Sequence, residues 1–99
     1  MEKKDVLKVA GNVTKPKLEN EKVRVLATTF KPGEAVKTHH HPDNVVLVLK
    51  GGKLKMTSEG KSEEMNLIDG QVVFFKAQDH EVENTGKTTI ELIVVELKK

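Results

Sequence analysis

Gly33-Glu34-Ala35-Val36-Lys37-Thr38-His39-His40-His41-Pro42-Asp43-Asn44-Val45-Val46-Leu47-Val48-Leu49-Lys50-Gly51 is the most informative stretch of the chain. It holds three of the four histidines, a turn signal at Pro42-Asp43-Asn44, and then an unbroken apolar run. In a strand, residues i and i+2 share a face. His39 and His41 therefore project together, and His40 projects the other way. Two imidazoles on one face can chelate one metal, each through a single ring nitrogen. A third ligand has to come from another strand. His80 is the remaining histidine, in the strand-like stretch His80-Glu81-Val82-Glu83-Asn84. The spacing predicts a divalent metal held by His39, His41 and His80. The competing reading is a set of surface histidines beside the Pro42 turn.

Outward from this stretch, turn signals recur at short intervals. They are Lys31-Pro32-Gly33, Gly51-Gly52, Glu59-Gly60, Asp69-Gly70 and Asn84-Thr85-Gly86. Proline presets φ, and Gly, Asn and Asp accept the left-handed conformations of tight turns. Gly51-Gly52 and Glu59-Gly60 fit two-residue hairpin loops. Between the turns lie short β-branched segments. Val23–Phe30 alternates, with Val23, Val25 and Ala27 opposite Arg24, Leu26 and Thr28. Leu54 and Met56 alternate with Lys53, Lys55 and Thr57. Val45–Leu49 and Val72–Phe75 are continuous apolar runs, consistent with strands covered on both faces. The last segment, Thr89–Leu97, is rich in Ile and Val. Ser62–Leu67 has a helical alternative, but its place between two turns favours a strand. The pattern predicts an all-β sandwich or barrel. It forms one domain over residues 1–99, with a barrel core over 21–97. Residues 1–20 read as an N-terminal arm or an edge strand, with Val6–Val9 the candidate strand and Lys15-Pro16-Lys17 a loop after it.

Composition excludes several classes. There is no cysteine, which removes disulfides, zinc ribbons and thiol nucleophiles. The 17 Lys plus Arg and 15 Asp plus Glu are interspersed, which describes a solvated surface rather than a nucleic-acid footprint. Three Phe with no Tyr or Trp offer few stacking platforms for single strands. No apolar stretch approaches the roughly 20 residues of a membrane span, and the charged start lacks a signal-peptide core. The expected location is the cytoplasm, with no nucleic-acid or membrane partner. Neither a Gly-x-Ser-x-Gly turn nor a phosphate-cradling Gly-rich loop is present.

Two stretches resemble the motifs of the cupin superfamily. The first motif, G-x5-H-x-H-x3–4-E-x6-G, is matched by Gly33, His39, His41 and Gly51. The second, G-x5-P-x-G-x2-H-x3-N, is matched by Gly70, His80 and Asn84. The chain is similar to short single-domain cytoplasmic cupins, some linked by name to β-alanine degradation. There are two departures. The family glutamate, usually the fourth metal ligand, is missing, and Asn44 stands near its place. Lys76 and Gln78 replace the second motif's Pro and Gly, and the loop before His80 is one residue short.

The resemblance implies a cupin β-barrel (a double-stranded β-helix, or jelly roll) holding a divalent transition metal such as Fe, Mn, Ni, Zn or Cu. With three imidazoles and no carboxylate to offset the metal's charge, the site is expected to favour anionic or chelating small molecules. The family's three-histidine dioxygenases make oxygen chemistry one expected activity and isomerisation another, with a non-catalytic binding or sensing module as the alternative. Asn44, Gln78 and Asn84 are expected beside the metal, as a weak ligand or hydrogen-bonding neighbours. Plain turn, loop or structural roles are their alternatives. Open barrels leave edges that need cover, so a homodimer is expected, paired through Val6–Val9 and Thr89–Leu97.

Overall fold

The computed structural model describes residues 5–98; residues 1–4 and 99 of the domain read from sequence lie outside it. After one helical turn, α1 (Val6–Val9), come the strands β1 (Thr14–Glu19), β2 (Val23–Phe30), β3 (Ala35–His41), β4 (Asn44–Lys50), β5 (Gly52–Ser58), β6 (Lys61–Leu67), β7 (Val72–Phe75), β8 (Gln78–Asn84) and β9 (Ile90–Leu97). They form a five-stranded sheet, β1-β2-β9-β4-β7, and a four-stranded sheet, β3-β8-β5-β6. The two sheets make the barrel that the turn spacing predicts, in the jelly-roll form that the resemblance implies. Ser62–Leu67 falls within β6, as a strand.

The period-2 pattern explains how the sheets close on one core. Along β9, Ile90, Leu92 and Val94 are buried, and they meet Leu26 and Phe30 of β2 and Val46 and Val48 of β4 in one cluster. Val36, Leu54 and Val82 supply the facing sheet's contribution. The chain reverses sharply between β5 and β6 at Glu59 and Gly60, with φ of 52° and 77°. Both values are positive, as in the type I′ hairpin turn whose twist matches its strands.

Three expectations need correcting. Val6–Val9 is a helical turn, not an edge strand. Asp5 caps it, its Oδ2 accepting from Leu7 N–H at 3.2 Å. Lys15-Pro16-Lys17 lies inside β1 rather than in a loop. β1 is a sheet edge and its pairing is irregular between Pro16 and Leu18, where the missing proline N–H costs no ladder bond. Gly51-Gly52 is not a hairpin loop, because β4 and β5 belong to different sheets. At Gly51 the backbone crosses so close to Leu67 that a Cβ would lie 2.0 Å from its carbonyl oxygen. Both edges expected to pair copies are also unavailable: Val6 is buried, and β9 sits between β2 and β4.

Leu26 is 0 % exposed at the centre of the core. Leu26→Ala is expected to lower the unfolding free energy by about 2–5 kcal/mol, as buried leucines do when a cavity replaces them. Urea titration followed by circular dichroism measures it; a loss below about 1 kcal/mol would contradict this packing.

Candidate metal centre

A break in strand pairing builds the site. β3 pairs with β8 through Val36↔Val82 and then through His39↔His80, with a register shift between. Val36 is buried, so a regular strand would turn His39 outward. The bulge at Lys37-Thr38 resets the parity, and His39 and His41 face inward while His40 is turned out. Bulges re-aim side chains in this way. His39 and His80 are direct cross-strand partners, and His41 follows two residues along.

The three rings meet edge to face, with centroids 4.7–5.3 Å apart. Each offers one nitrogen, and these nitrogens lie within 4.8 Å of one another. Hydrogen bonds select which nitrogen is free. His39 Nδ1–H donates to the Lys37 carbonyl at 2.8 Å, a group in the bulge itself. His41 Nδ1–H donates to Glu96 Oε2 at 2.6 Å. On both rings Nε2 keeps its lone pair. Nδ1 of His80 is, among the described residues, the one buried side-chain nitrogen or oxygen without a hydrogen-bond partner. Coordination would satisfy such an atom. These donors fit a divalent transition metal.

Behind His41 stands a buried ionic chain that the sequence reading missed. Glu96 is 2 % exposed, and its Oε1 accepts from Arg24 Nε at 2.7 Å. Arg24 also grips Asp5 with both terminal nitrogens, at 3.1 and 2.6 Å. Two carboxylates and one guanidinium leave one net negative charge beside the histidines. The expectation that no carboxylate offsets a metal here is therefore corrected: the charge lies one bond behind His41 instead of on the metal. A carboxylate on the far nitrogen of a ligating histidine fixes the ring and raises its basicity. The signal was in the sequence. Glu96 continues the buried parity Ile90, Leu92, Val94, and Arg24 shares the parity of Leu26 and Phe30. The two are register partners.

A family model described as "Cupin domain" matches residues 26–96. The chain belongs to the cupin family. Among solved structures, it is similar to a cupin domain from Bordetella pertussis Tohama I, at 26% identity over 88% of this chain and 93% of that one, with a TM-score of 0.82. A protein from Thermotoga maritima described as a predicted oxalate decarboxylase is also 26% identical, over 85% of this chain and 78% of that one, with a TM-score of 0.61. A cupin family protein from Methanocaldococcus jannaschii shares the fold at 20% identity, with a TM-score of 0.71 over 87% and 79% of the two chains. No curated protein matches the chain by sequence.

In this cupin the histidines open on a cavity of about 50 Å³ between the sheets. Its walls are mostly apolar, among them Val46, Met56, Phe75 and Val94, with Val6 of α1 closing one side. Asn44 lines it too. Its Nδ2–H donates to the Pro42 carbonyl at 2.9 Å, which leaves Oδ1 as the amide's free acceptor. Gln78, opposite His41 in register, lies instead in surface hollows with Ser58. Asn84 is spent elsewhere. Its Nδ2 donates to the carbonyls of Phe30 and Thr88, and its Oδ1 accepts from Gly86 N–H, tying turns together four residues along β8 from His80.

Burial lowers the pKa of both strand-paired histidines. His80 is pushed down to about 3 by burial and by the charges of His39 and His41. His39 is lowered for the same first reason, against its bond to Lys37. Burial pushes the Asp5 carboxyl up, but Arg24's hydrogen bond and charge outweigh it and hold the group below its ordinary value. The signs agree. Unfolded histidines take up protons as pH falls below about 6.5, while these two resist. The stability this contributes is whole above that pH and is lost as pH falls towards 3. Metal-free protein is expected to show a lower urea midpoint at pH 5 than at pH 7.5; an equal or higher one would contradict the buried neutral rings.

Proposed function

We propose that this cupin holds a divalent transition metal through His39, His41 and His80 and presents it to a small anionic or chelating molecule. The observation that supports this best is the convergence of three buried imidazoles, two of them held at Nδ1 by Lys37 and Glu96 and the third, His80, with a buried nitrogen that has no partner. Fe, Ni, Zn and Cu suit imidazole ligands, while Mn prefers oxygen donors. Bound there, the metal would supply Lewis acidity or redox chemistry. Burial keeps His39 and His80 neutral, and Lys37 and Glu96 orient the rings of His39 and His41. A cavity of about 50 Å³ favours a ligand of a few heavy atoms. The Thermotoga relative's description makes oxalate a natural first probe, beside thiols and diketones for oxygen chemistry. We read the protein as a cytoplasmic homodimer, acting as a dioxygenase or an isomerase.

One observation favours a second reading, a binding or sensing module without turnover. Besides the three histidines, no ionisable side chain lines the cavity among the described residues. A general acid or base is therefore not at hand, and turnover would rest on the metal and on Asn44. Oxygen uptake and product analysis with the metal-loaded protein separate the two readings.

Metal content tests what both share. Untagged protein purified without nickel resin is expected to hold about one transition metal per chain, by elemental analysis. His80→Ala should lose it and His40→Ala should keep it. Glu96→Gln should bind it about 10–100-fold more weakly, the usual cost of removing an orienting carboxylate. A wild-type protein that stays metal-free when offered each of the five metals would refute the proposal.

A further inference from the structure

We propose that an open hollow between β5, β6 and β8 receives the far end of the metal-bound molecule, and that this end is zwitterionic, as in an α-amino acid. The inference rests on the metal site proposed for His39, His41 and His80 and extends it from the ligand's head to its tail. A cavity of about 50 Å³ holds the atoms that meet the metal and little else. A hollow of about 610 Å³ adjoins it, lined by Met56, Ser58, Lys61, Ser62, Glu63 and Gln78. Met56 lines both spaces. The wall between them thus includes a half-buried, unbranched side chain of the kind that adapts its shape readily.

Strand register ties the hollow to the histidines. On β8, Gln78 is the cross-strand partner of His41 and shares the parity of His80. On β5 and β6, Met56 faces Glu63 and Ser58 faces Lys61. These pairs share the parity of Leu54 and Leu67, which are buried in the core. Side chains two residues apart share a face, so Lys61 and Glu63 stand on the inner face of their sheet, not on its outer one. Pairing of β5 with β8 runs through Thr57↔Glu81, and the next step sets Ser58 beside His80. Lys61 then lies two strands from His80, about 10 Å between backbones. Its flexible stem covers part of that distance.

The charges decide the chemistry of the tail. Along the inner face of β6, Leu67 and Met65 give way to Glu63 and Lys61 at the level of Met56. Among the described residues, neither Lys61 nor Glu63 has an ion-pair partner, whereas Arg24, Lys50 and Lys98 are all paired. The Ser58 hydroxyl donates to the Asp79 carbonyl at 2.9 Å, and that of Ser62 bonds Thr57. The Gln78 amide is the neutral group left free beside the two charges. An unpaired ammonium and an unpaired carboxylate, side by side, complement a group that carries both signs. A purely anionic tail would be repelled by Glu63, and an apolar tail would desolvate both charges without pairing either.

Calorimetric titration of the metal-loaded chain with three hydroxamates tests this. Glutamate γ-hydroxamate and butanohydroxamate share a chelating head and a spacer, and only the first carries the ammonium and the carboxylate. Glutaric monohydroxamate carries the carboxylate alone. Glutamate γ-hydroxamate is expected to bind about tenfold more tightly than butanohydroxamate, the sum of two exposed charge contacts. Glutaric monohydroxamate should fall short of it. The double variant Lys61→Met, Glu63→Gln should bind all three alike, with metal content, circular dichroism and butanohydroxamate affinity unchanged. Equal binding of the first two probes to the wild-type chain would overturn the inference alone. So would a gain that survives in the variant, or a carboxylate-only probe that binds as tightly as the zwitterion. A chain that holds none of the five metals, or a loaded chain that binds no hydroxamate, would overturn the underlying metal reading as well.

Discussion

The register shift between Val36 and His39 is the constraint on which the site depends. Val36 must face the core because its neighbours there are Leu54 and Val82, and the histidines must face the same core three and five residues later. A period of two cannot satisfy both without an extra residue. The bulge supplies it and also frees the Lys37 carbonyl to hold the His39 ring. A local defect in the ladder thus sets both the direction and the tautomer of the His39 ring. Deleting a residue there would turn His39 and His41 outward together, since a one-residue slip moves every side chain to the other face.

The second constraint is electrostatic. A buried carboxylate without partners is strongly destabilising, so Glu96 is tolerable only because Arg24 and His41 occupy both its oxygens. Arg24 in turn needs Asp5. The family's usual arrangement places a carboxylate on the metal; in this chain Asn44 stands near that position and the charge sits behind His41. A metal in this site would keep a neutral ligand set while a negative charge remains close.

The sequence made the histidine cluster legible because its signal is compositional: four histidines, three adjacent, at spacings that two motifs share. Turn residues made the strands legible for a similar reason, since Gly60 and Gly70 mark local backbone needs. What stayed hidden depends on pairing. That β4 and β5 join different sheets cannot be read from Gly51-Gly52, whose composition equally suits a hairpin. The bulge leaves no residue signature in Lys37-Thr38. Arg24 and Glu96 were readable in part, as charges on the buried parity of their strands. Their partnership required knowing that β2 lies beside β9, seventy residues away in the chain.

The N-terminal segment shows how the terminal residues complete what the family core begins. The family match spans residues 26–96, which includes the three histidines and Glu96 but stops short of Arg24, Asp5 and Val6. Those outlying residues are not a detached arm. Val6 forms part of the cavity wall, and Asp5 bridges to β3 beside His40 while binding Arg24. The helical turn at Val6–Val9 is too short to be stable alone. It is held by burial of Val6 and by the Asp5–Arg24 pair, so its docking is coupled to the same ionic chain that orients His41. Asp5, Arg24 and Glu96 thus join the packing of the N-terminal turn to the orientation of the His41 ring.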